Sequence, residues 1–186
     1  MDYKKLVSDS IKLKPGAQRQ LYEHFAPLML GVCFRYTKSI DDAEDILQEG
    51  FVKVFRYLYQ YKFEGELGAW IRKLMVNTAL NYLKKNRKYQ HDLSFEDMPL
   101  HPVSDDDPQV RLQTKELTEL IRQLPTGFQT IFNLHAVEGY SHVEISAMLG
   151  ISEGTSRSQY ARARALLIEW LNSYSVEIKP DKYAKK

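Results

Sequence analysis

The sequence predicts an all-α chain, two small helical domains joined by a flexible linker, with a helix-turn-helix in the C-terminal one. Three observations carry this. Apolar residues recur at spacings of three and four along most of the chain, and the two-residue alternation of a half-buried strand is nearly absent. Residues 89–108 hold Pro99, Pro102 and Pro108 beside a run of acids and have little to bury, which marks a domain boundary. Residues 144–164, EISAMLGISEGTSRSQYARAR, read as two short helices around a glycine.

Each element has its own warrant. Over residues 17–37, Leu21, Phe25, Leu28, Met29, Val32 and Tyr36 line one helical face. The single cysteine, Cys33, can form no intramolecular disulfide and lies in the same apolar run, which suits a buried thiol in a reducing cytoplasm. Ser39 or Asp41 then caps a second helix, with Asp42, Glu44 and Asp45 near the positive end of its dipole. Ala43, Ile46, Leu47, Gly50, Phe51, Val54, Phe55 and Leu58 commit one face of that helix to a core. A third helix is expected from about Leu67 to Arg87, with Ala69 or Trp70, Leu74, Asn77, Leu80 or Asn81 and Lys84 recurring along it. Beyond the linker, Val110, Leu117, Leu120, Ile121 and Leu124 make a helix stopped by Pro125. Thr126 is expected to cap the next, with Phe128, Ile131, Phe132, Leu134 and Val137 inward and Gly139 ending it. The C-terminal KPDKYAKK has nothing to pack and is expected to fray.

The helix-turn-helix can be read mechanically. Val143, Ile145 and Leu149 are the apolar set of its first helix, Ser146 and Ala147 are small, Gly150 suits a left-handed turn, Ile151 plugs the corner and Ser152 caps the second helix. In that second helix Tyr160, Ala163, Leu167, Trp170 and Leu171 form the inward stripe, which leaves Arg157, Ser158, Ala161, Arg162 and Arg164 outside. An exposed Arg/Ser face with small neighbours fits a major groove, where arginine bonds guanine bidentately, and the amides of residues 152–155 are placed to hold a phosphate. Two positions depart from the usual pattern of such a helix. Ser156 stands where Val or Ile is common and is expected to bond a carbonyl one turn back, and Gln159 is neutral on a face suited to basic residues.

Net charge is uninformative, since 26 Lys and Arg against 24 Asp and Glu give only +2. Its distribution says more. Lys73, Lys84, Lys85, Arg87 and Lys88 fall in a stretch without acids, whereas Asp92, Glu96, Asp97, Asp105, Asp106 and Asp107 follow without a single Lys or Arg. The N-terminus lacks the apolar core of a signal peptide and no run approaches a membrane span, so a cytoplasmic protein without membrane insertion is expected. Catalysis finds no support. Asp41, Asp42, Glu44 and Asp45 fan around a helix start, His135 and His142 lack a further ligand at metal spacing, and there is no nucleophile elbow, phosphate loop or dinucleotide fingerprint. Neither a metal nor a cofactor is expected.

Both halves resemble one family. LPTGFQTIFNLHAVEGYSHVEISAMLGISEGTSRSQYARARALL (124–167) resembles the promoter-binding C-terminal domain of bacterial sigma factors. DDAEDILQEGFVKVFRYLYQY (41–61) and FEGELGAWIRKLMVNTALNYLKKNRK (63–88) resemble their N-terminal core domain. A linker in place of the extra domain of housekeeping sigma factors matches the extracytoplasmic-function group. The resemblance implies a core-polymerase and -10-binding domain over 1–88, an acidic linker over 89–108 that threads near the active-centre cleft, a -35-binding domain over 109–174 and a basic tail over 175–186. It implies that Asp45, Gln48, Glu49, Lys53 and Arg56 meet the beta-prime clamp helices of RNA polymerase, and that the C-terminal domain meets the beta flap.

It further implies that Phe63, Trp70, Lys73, Asn77, Lys84, Lys85, Arg87 and Lys88 recognise and open the -10 element, the aromatics stacking unpaired bases and the cations tracking the backbone. Ser152, Glu153, Thr155, Arg157, Ser158, Ala161, Arg162 and Arg164 would serve the -35 element, Arg157 and Arg162 reading bases and Arg164 touching phosphate. Control by an anti-sigma factor is a common property of the family. The alternative is a helix-turn-helix repressor or activator that binds duplex DNA without being a polymerase subunit; such a regulator would carry a sensor or dimerisation domain in place of the N-terminal helices.

Overall fold

In a computed structural model whose described residues are 2–86 and 114–177, every regular element is helical. The chain divides into two units, one within 1–90 and one within 91–186.

The N-terminal unit opens with a helix the sequence reading does not anticipate. In α1 (Tyr3–Ile11) the Asp2 carboxylate accepts the Lys5 amide at 3.1 Å, and Leu6, Val7 and Ser10 are buried. The helix closes with paired reversed bonds, Lys14 N to Asp9 O at 3.0 Å and Leu13 N to Ser10 O at 3.1 Å, which put Leu13 at φ 55 in a position that favours glycine. Next comes α2 (Ala17–Phe34), with Leu21, Phe25, Met29, Val32 and, just past its end, Tyr36 buried as expected. Leu28 is 64% exposed, against expectation. Ala26 and Cys33 are buried beside the stripe and shift its centre away from Leu28, which is left at the outer edge. Cys33 is fully buried, and burial pushes its thiol up to about 12, so it packs as a small apolar group.

Ser39 caps α3 (Ile40–Tyr57), its hydroxyl accepting the Asp42 amide at 3.1 Å, and this settles the choice between Ser39 and Asp41. Ala43, Ile46, Leu47, Gly50, Phe51, Val54 and Leu58 are buried, while Phe55 is half-buried. A 3₁₀ turn over Leu58–Gln60 leads towards α4 (Leu67–Lys85), which buries Leu67, Ile71, Met75, Val76, Thr78, Ala79, Leu80 and Leu83.

Three links join α3 to α4. A Cβ on Gly50 would lie 2.2 Å from the Met75 sulfur, so the absent side chain makes room for a fully buried methionine. Near one end Tyr82 donates its hydroxyl to Asp42 at 2.7 Å, and burial first, then that bond and the charges of Asp42 and Asp45, raise the phenol to about 12. Midway, the Lys53 ammonium pairs with Glu49 at 2.7 Å and donates to Thr78 Oγ1 at 3.2 Å.

The C-terminal unit holds α5 (Thr114–Gln123), α6 (Thr126–Phe132), a π-helical turn over Asn133–Val137, α7 (His142–Leu149) and α8 (Glu153–Glu177). Leu120, Ile121, Leu124, Phe128, Ala163 and Leu167 form its apolar core, with Phe132, Leu166, Trp170 and Leu171 packed against it. Several expectations need correction. Pro125, not Thr126, occupies the cap position of α6; Thr126 is the first helical residue, buried, and its carbonyl accepts the Thr130 hydroxyl at 2.7 Å. Leu117 is 39% exposed, because burial of α5 begins one turn later at Leu120. Val137 is 36% exposed: the π turn, closed by Glu138 N to Asn133 O, is wider than an α turn and rotates it off the inward stripe. Val143 is 61% exposed, leaving Ile145 as the fully buried apolar side chain of α7. Gln159 is not on the outer face at all but 2% exposed, buried like Ser156 one turn before it on α8.

Two substitutions check the backbone arguments. Leu13→Gly is expected to stabilise the chain by about 0.5–1 kcal/mol, relief of the left-handed strain exceeding the added chain entropy. Gly50→Ala is expected to lower stability by about 1–2 kcal/mol despite alanine's better helix propensity, because the new methyl overlaps Met75. Thermal unfolding followed by circular dichroism reads both.

Candidate nucleic-acid and polymerase interfaces

The links between α3 and α4 decide which side chains remain outside. On α4, Lys73, Asn77, Asn81 and Lys84 are exposed and Trp70 is half-buried, all at helical spacings that place them on one face. Four of the residues expected at the -10 element are thus brought together, and Lys85 is exposed beside them. Arg87 and Lys88 lie outside the described residues. Asn77 sits mid-helix with no hydrogen-bond partner among the described residues, so nothing local explains its low helix propensity there.

The loop before α4 is held by a residue the sequence reading passes over. Tyr61 is 8% exposed, donates its hydroxyl to Gly65 O at 2.8 Å and lies under two aromatic neighbours, with ring centroids 5.1 Å from Phe63 and 5.7 Å from Trp70. Phe63 itself adopts φ 61 and is 44% exposed. An exposed phenylalanine in a left-handed conformation gains little for the fold, and its strain is held by Tyr61 and by Gly65 at φ 78. The available signal was the aromatic density of YLYQYKF over residues 57–63.

The five residues expected to meet polymerase separate into two groups. Asp45, Gln48 and Arg56 are exposed on one face of α3, with Val52 between them at 57% exposure. Lys53 turns towards α4 instead and pairs with Glu49 on its own helix, and the hydrogen bond from Lys53, helped by the charge of Lys85, holds the Glu49 carboxyl below the usual range. Beside the outward face, an open groove of about 500 Å³ runs between α2 and α3. Tyr22, Pro27, Leu30 and Leu47 give it an apolar lining, with Glu23, Glu44 and Gln48 also along it.

In the C-terminal unit, Ser141 and Glu144 form a reciprocal capping box at the start of α7, a Ser-x-x-Glu signal legible in the sequence and missed. Gly150 closes α7 at φ 72 as expected, and Ser152 caps α8 by accepting the Thr155 amide at 2.9 Å. That bond and Ser156 N to Ser152 O occupy the later amides, so an anion at this helix start would meet those of Glu153 and Gly154. Arg157, Ser158, Ala161 and Arg164 are exposed together, and Arg157 Nε donates to Glu153 at 3.1 Å. Arg162 is half-buried, with its Nε enclosed and unpartnered, so only its outer nitrogens reach away from the helix. The Ser156 hydroxyl does not turn back to a carbonyl but meets His142 Nδ1 at 2.9 Å. No group of three or more His, Cys, Asp or Glu is placed to hold a metal among the described residues, and no described helix is long and apolar enough to cross a membrane.

The family comparison follows this division. The sigma-70 region 2 model matches residues 21–89 and the sigma-70 region 4 model matches residues 114–167. The RNA polymerase sigma factor CarQ of Myxococcus xanthus is 30% identical over 173 residues, covering 90% of this chain and 98% of that protein. The chain belongs to the sigma-70 family of RNA polymerase sigma factors, in its extracytoplasmic-function group. The extracytoplasmic-function sigma factor SigE of Mycolicibacterium smegmatis is 29% identical over 162 residues, 85% of this chain; the chain spans 63% of the length of that relative. A solved structure of the sigma factor RpoE of Bartonella quintana, in complex with the anti-sigma factor NepR, shares the fold at 20% identity and a TM-score of 0.51, covering 84% of this chain and 98% of that one. Sigma factors direct RNA polymerase to promoters, and membership gives this chain that class of function, a binding subunit and not an enzyme class.

If Phe63 is outside the core, Phe63→Gly leaves the melting temperature unchanged or raises it, by an amount worth up to about 1 kcal/mol of relieved strain. A fall of several degrees on calorimetry would show instead that the ring supports the fold.

Proposed function

We propose that this sigma factor divides promoter recognition between the outward face of α4 with its preceding loop and the outward face of α8, and that it binds core polymerase through α3. The observation that carries the reading is the exposure of Lys73, Asn77 and Lys84 on the face of α4 that also carries half-buried Trp70, next to a strained and exposed Phe63. Opening a duplex requires the released bases to be captured. An aromatic platform contributes about 1–3 kcal/mol per stacked base, and a row of lysines follows the phosphates. Phe63 is the platform best placed for a flipped base, with Trp70 supporting it through Tyr61. Asn77 supplies a donor and an acceptor to a base edge.

Arg157 is the principal reader of the -35 element in this account, and Ser158 and Ala161 leave room for it in the groove. Glu153 holds the Arg157 guanidinium extended in the free protein, so that DNA exchanges one hydrogen-bonding partner for another. Arg162, with its Nε enclosed, reaches from a fixed stem, and Arg164 is left to phosphate. For core polymerase the contact set narrows to Asp45, Gln48 and Arg56 around Val52, with the clamp helices as partner and the groove between α2 and α3 alongside; the beta flap is assigned to the C-terminal unit. An anti-sigma factor, the class of partner seen with the Bartonella protein, would act by covering these same faces.

Holoenzyme binding to promoter fragments tests the assignment. Arg157→Ala is expected to cost about 1–3 kcal/mol on a promoter with an intact -35 element and much less when that element is scrambled. Lys73→Ala should weaken binding to all promoters alike and reduce the slope against log salt by about one. Arg56→Glu should lower recovery of the chain with core polymerase without altering its melting temperature. Equal effects of Arg157→Ala on intact and scrambled elements would remove the base-reading role.

A further inference from the structure

The edge of the helix-turn-helix contains a pair of half-buried histidines that neither promoter contact nor the apolar core accounts for. His135 and His142 stack with ring centroids 4.2 Å apart and planes 21° from parallel, and the edge of each meets Tyr160 of α8, at 4.6 and 5.7 Å. His135 Nδ1 lies 2.8 Å from the Tyr140 carbonyl, which can only accept, so that nitrogen carries a hydrogen. His142 Nδ1 bonds the hydroxyl of Ser156, a fully buried residue on the inner side of the DNA-reading helix, one position before Arg157. The π turn presents His135 to this stack, the start of α7 presents His142, and α8 closes it with Ser156 and Tyr160. Three elements therefore meet on two imidazoles.

We propose that the His135–His142 stack is the positioning element of the DNA-reading helix and makes recognition of the -35 element sensitive to protons. This rests on the assignment of α8 to that element. A stacked pair of imidazoles tolerates at most one charge comfortably, because the second proton would sit about 4 Å from the first in a partly desolvated site. The charged and titratable groups around His142 are His135 from the π turn and Glu153, Arg157 and Tyr160 from α8, while Glu144 on its own helix is held in the Ser141 cap. Burial first, then His135 and Arg157, lower the His142 pKa, and Glu153 opposes them. A lowered imidazole pKa means that the folded joint binds a proton less readily than the unfolded chain. Its support is complete above the ordinary value of about 6.5 and is lost as pH falls through the folded-state value. In the proposed neutral joint the Ser156 hydroxyl donates to His142 Nδ1; a protonated His142 can only donate to Ser156 Oγ, so the serine hydrogen must then turn elsewhere in a buried space, and α8 loses its fixed rotation relative to α7.

The test uses the full chain assembled with core polymerase. Binding to a promoter with an intact -35 element is divided by binding to the same promoter with that element scrambled, between about pH 8 and about pH 5.5. Taking this ratio cancels the pH response of the core enzyme. The ratio is expected to fall about five- to tenfold for the natural chain and to stay flat for the His135→Gln, His142→Gln double variant. NMR titration of the natural free chain gives a readout independent of any variant's folding: His142 should titrate below the ordinary range. A ratio near one at every pH would overturn the assignment of α8 and the proposal with it. A high ratio that does not change with pH, one that falls equally in the double variant, or a His142 titrating normally would overturn the positioning role alone.

Discussion

Gly50 lets α3 and α4 come together, and most of what the N-terminal unit offers to a partner follows from that contact. The Met75 sulfur lies where a side chain at Gly50 would begin, so a side chain there would have to displace a fully buried methionine from between the two helices. With that packing in place, Tyr82 reaches Asp42 at one end and Lys53 reaches Thr78 in the middle. These polar links set the rotation of each helix about its axis, which apolar packing alone constrains less sharply. Once rotation is set, the outward rows are determined: Asp45, Gln48, Val52 and Arg56 on α3, and Trp70, Lys73, Asn77 and Lys84 on α4. A sigma factor must hold polymerase with one surface and unpaired bases with another. In the proposed assignment, two rows belonging to one locked helix pair serve both.

The C-terminal unit meets the same need for fixed rotation by different means. Beside its apolar core, α8 packs through buried Ser156 and Gln159 and through Tyr160 against two histidines. A buried polar contact is unforgiving of misalignment, since a group turned away from its partner is left unsatisfied. If α8 reads DNA as proposed, it benefits from that property, because a small rotation of α8 would redirect the exposed Arg157.

The fold was largely legible because its dominant signal is periodicity. The apolar stripe of α3, the glycine between α7 and α8, and the Ser39 and Ser152 caps all lie where spacing and capping chemistry place them. Misplacements arose where a neighbour or a change of helical pitch altered the geometry. Leu28 fits the period of α2 but falls at the edge of a contact recentred by Ala26 and Cys33, and Val137 fits an α-helix that has become a π turn. Short α1 carries too few apolar residues for its period to stand out, although Asp2 marks its start. In the sites, composition located the faces and tertiary contact sorted their members: Lys53 carries the charge of a docking face yet bonds Thr78 of α4 and pairs with Glu49 beside it, and Gln159 is buried. The partnership of Ser156 with His142 joins residues 14 apart through a turn, beyond the reach of any local pattern.

The central claim is that these faces act together only on RNA polymerase, as parts of one promoter-selecting subunit. Run-off transcription from a mixed promoter pool, with core polymerase alone and with core polymerase plus this chain, tests it most directly. The account predicts discrete start sites that appear only when the chain is added and that share paired upstream elements at a constant spacing. It would be contradicted by the same start sites arising from core polymerase alone, or by the chain selecting its DNA equally well as free protein while initiation remains unchanged.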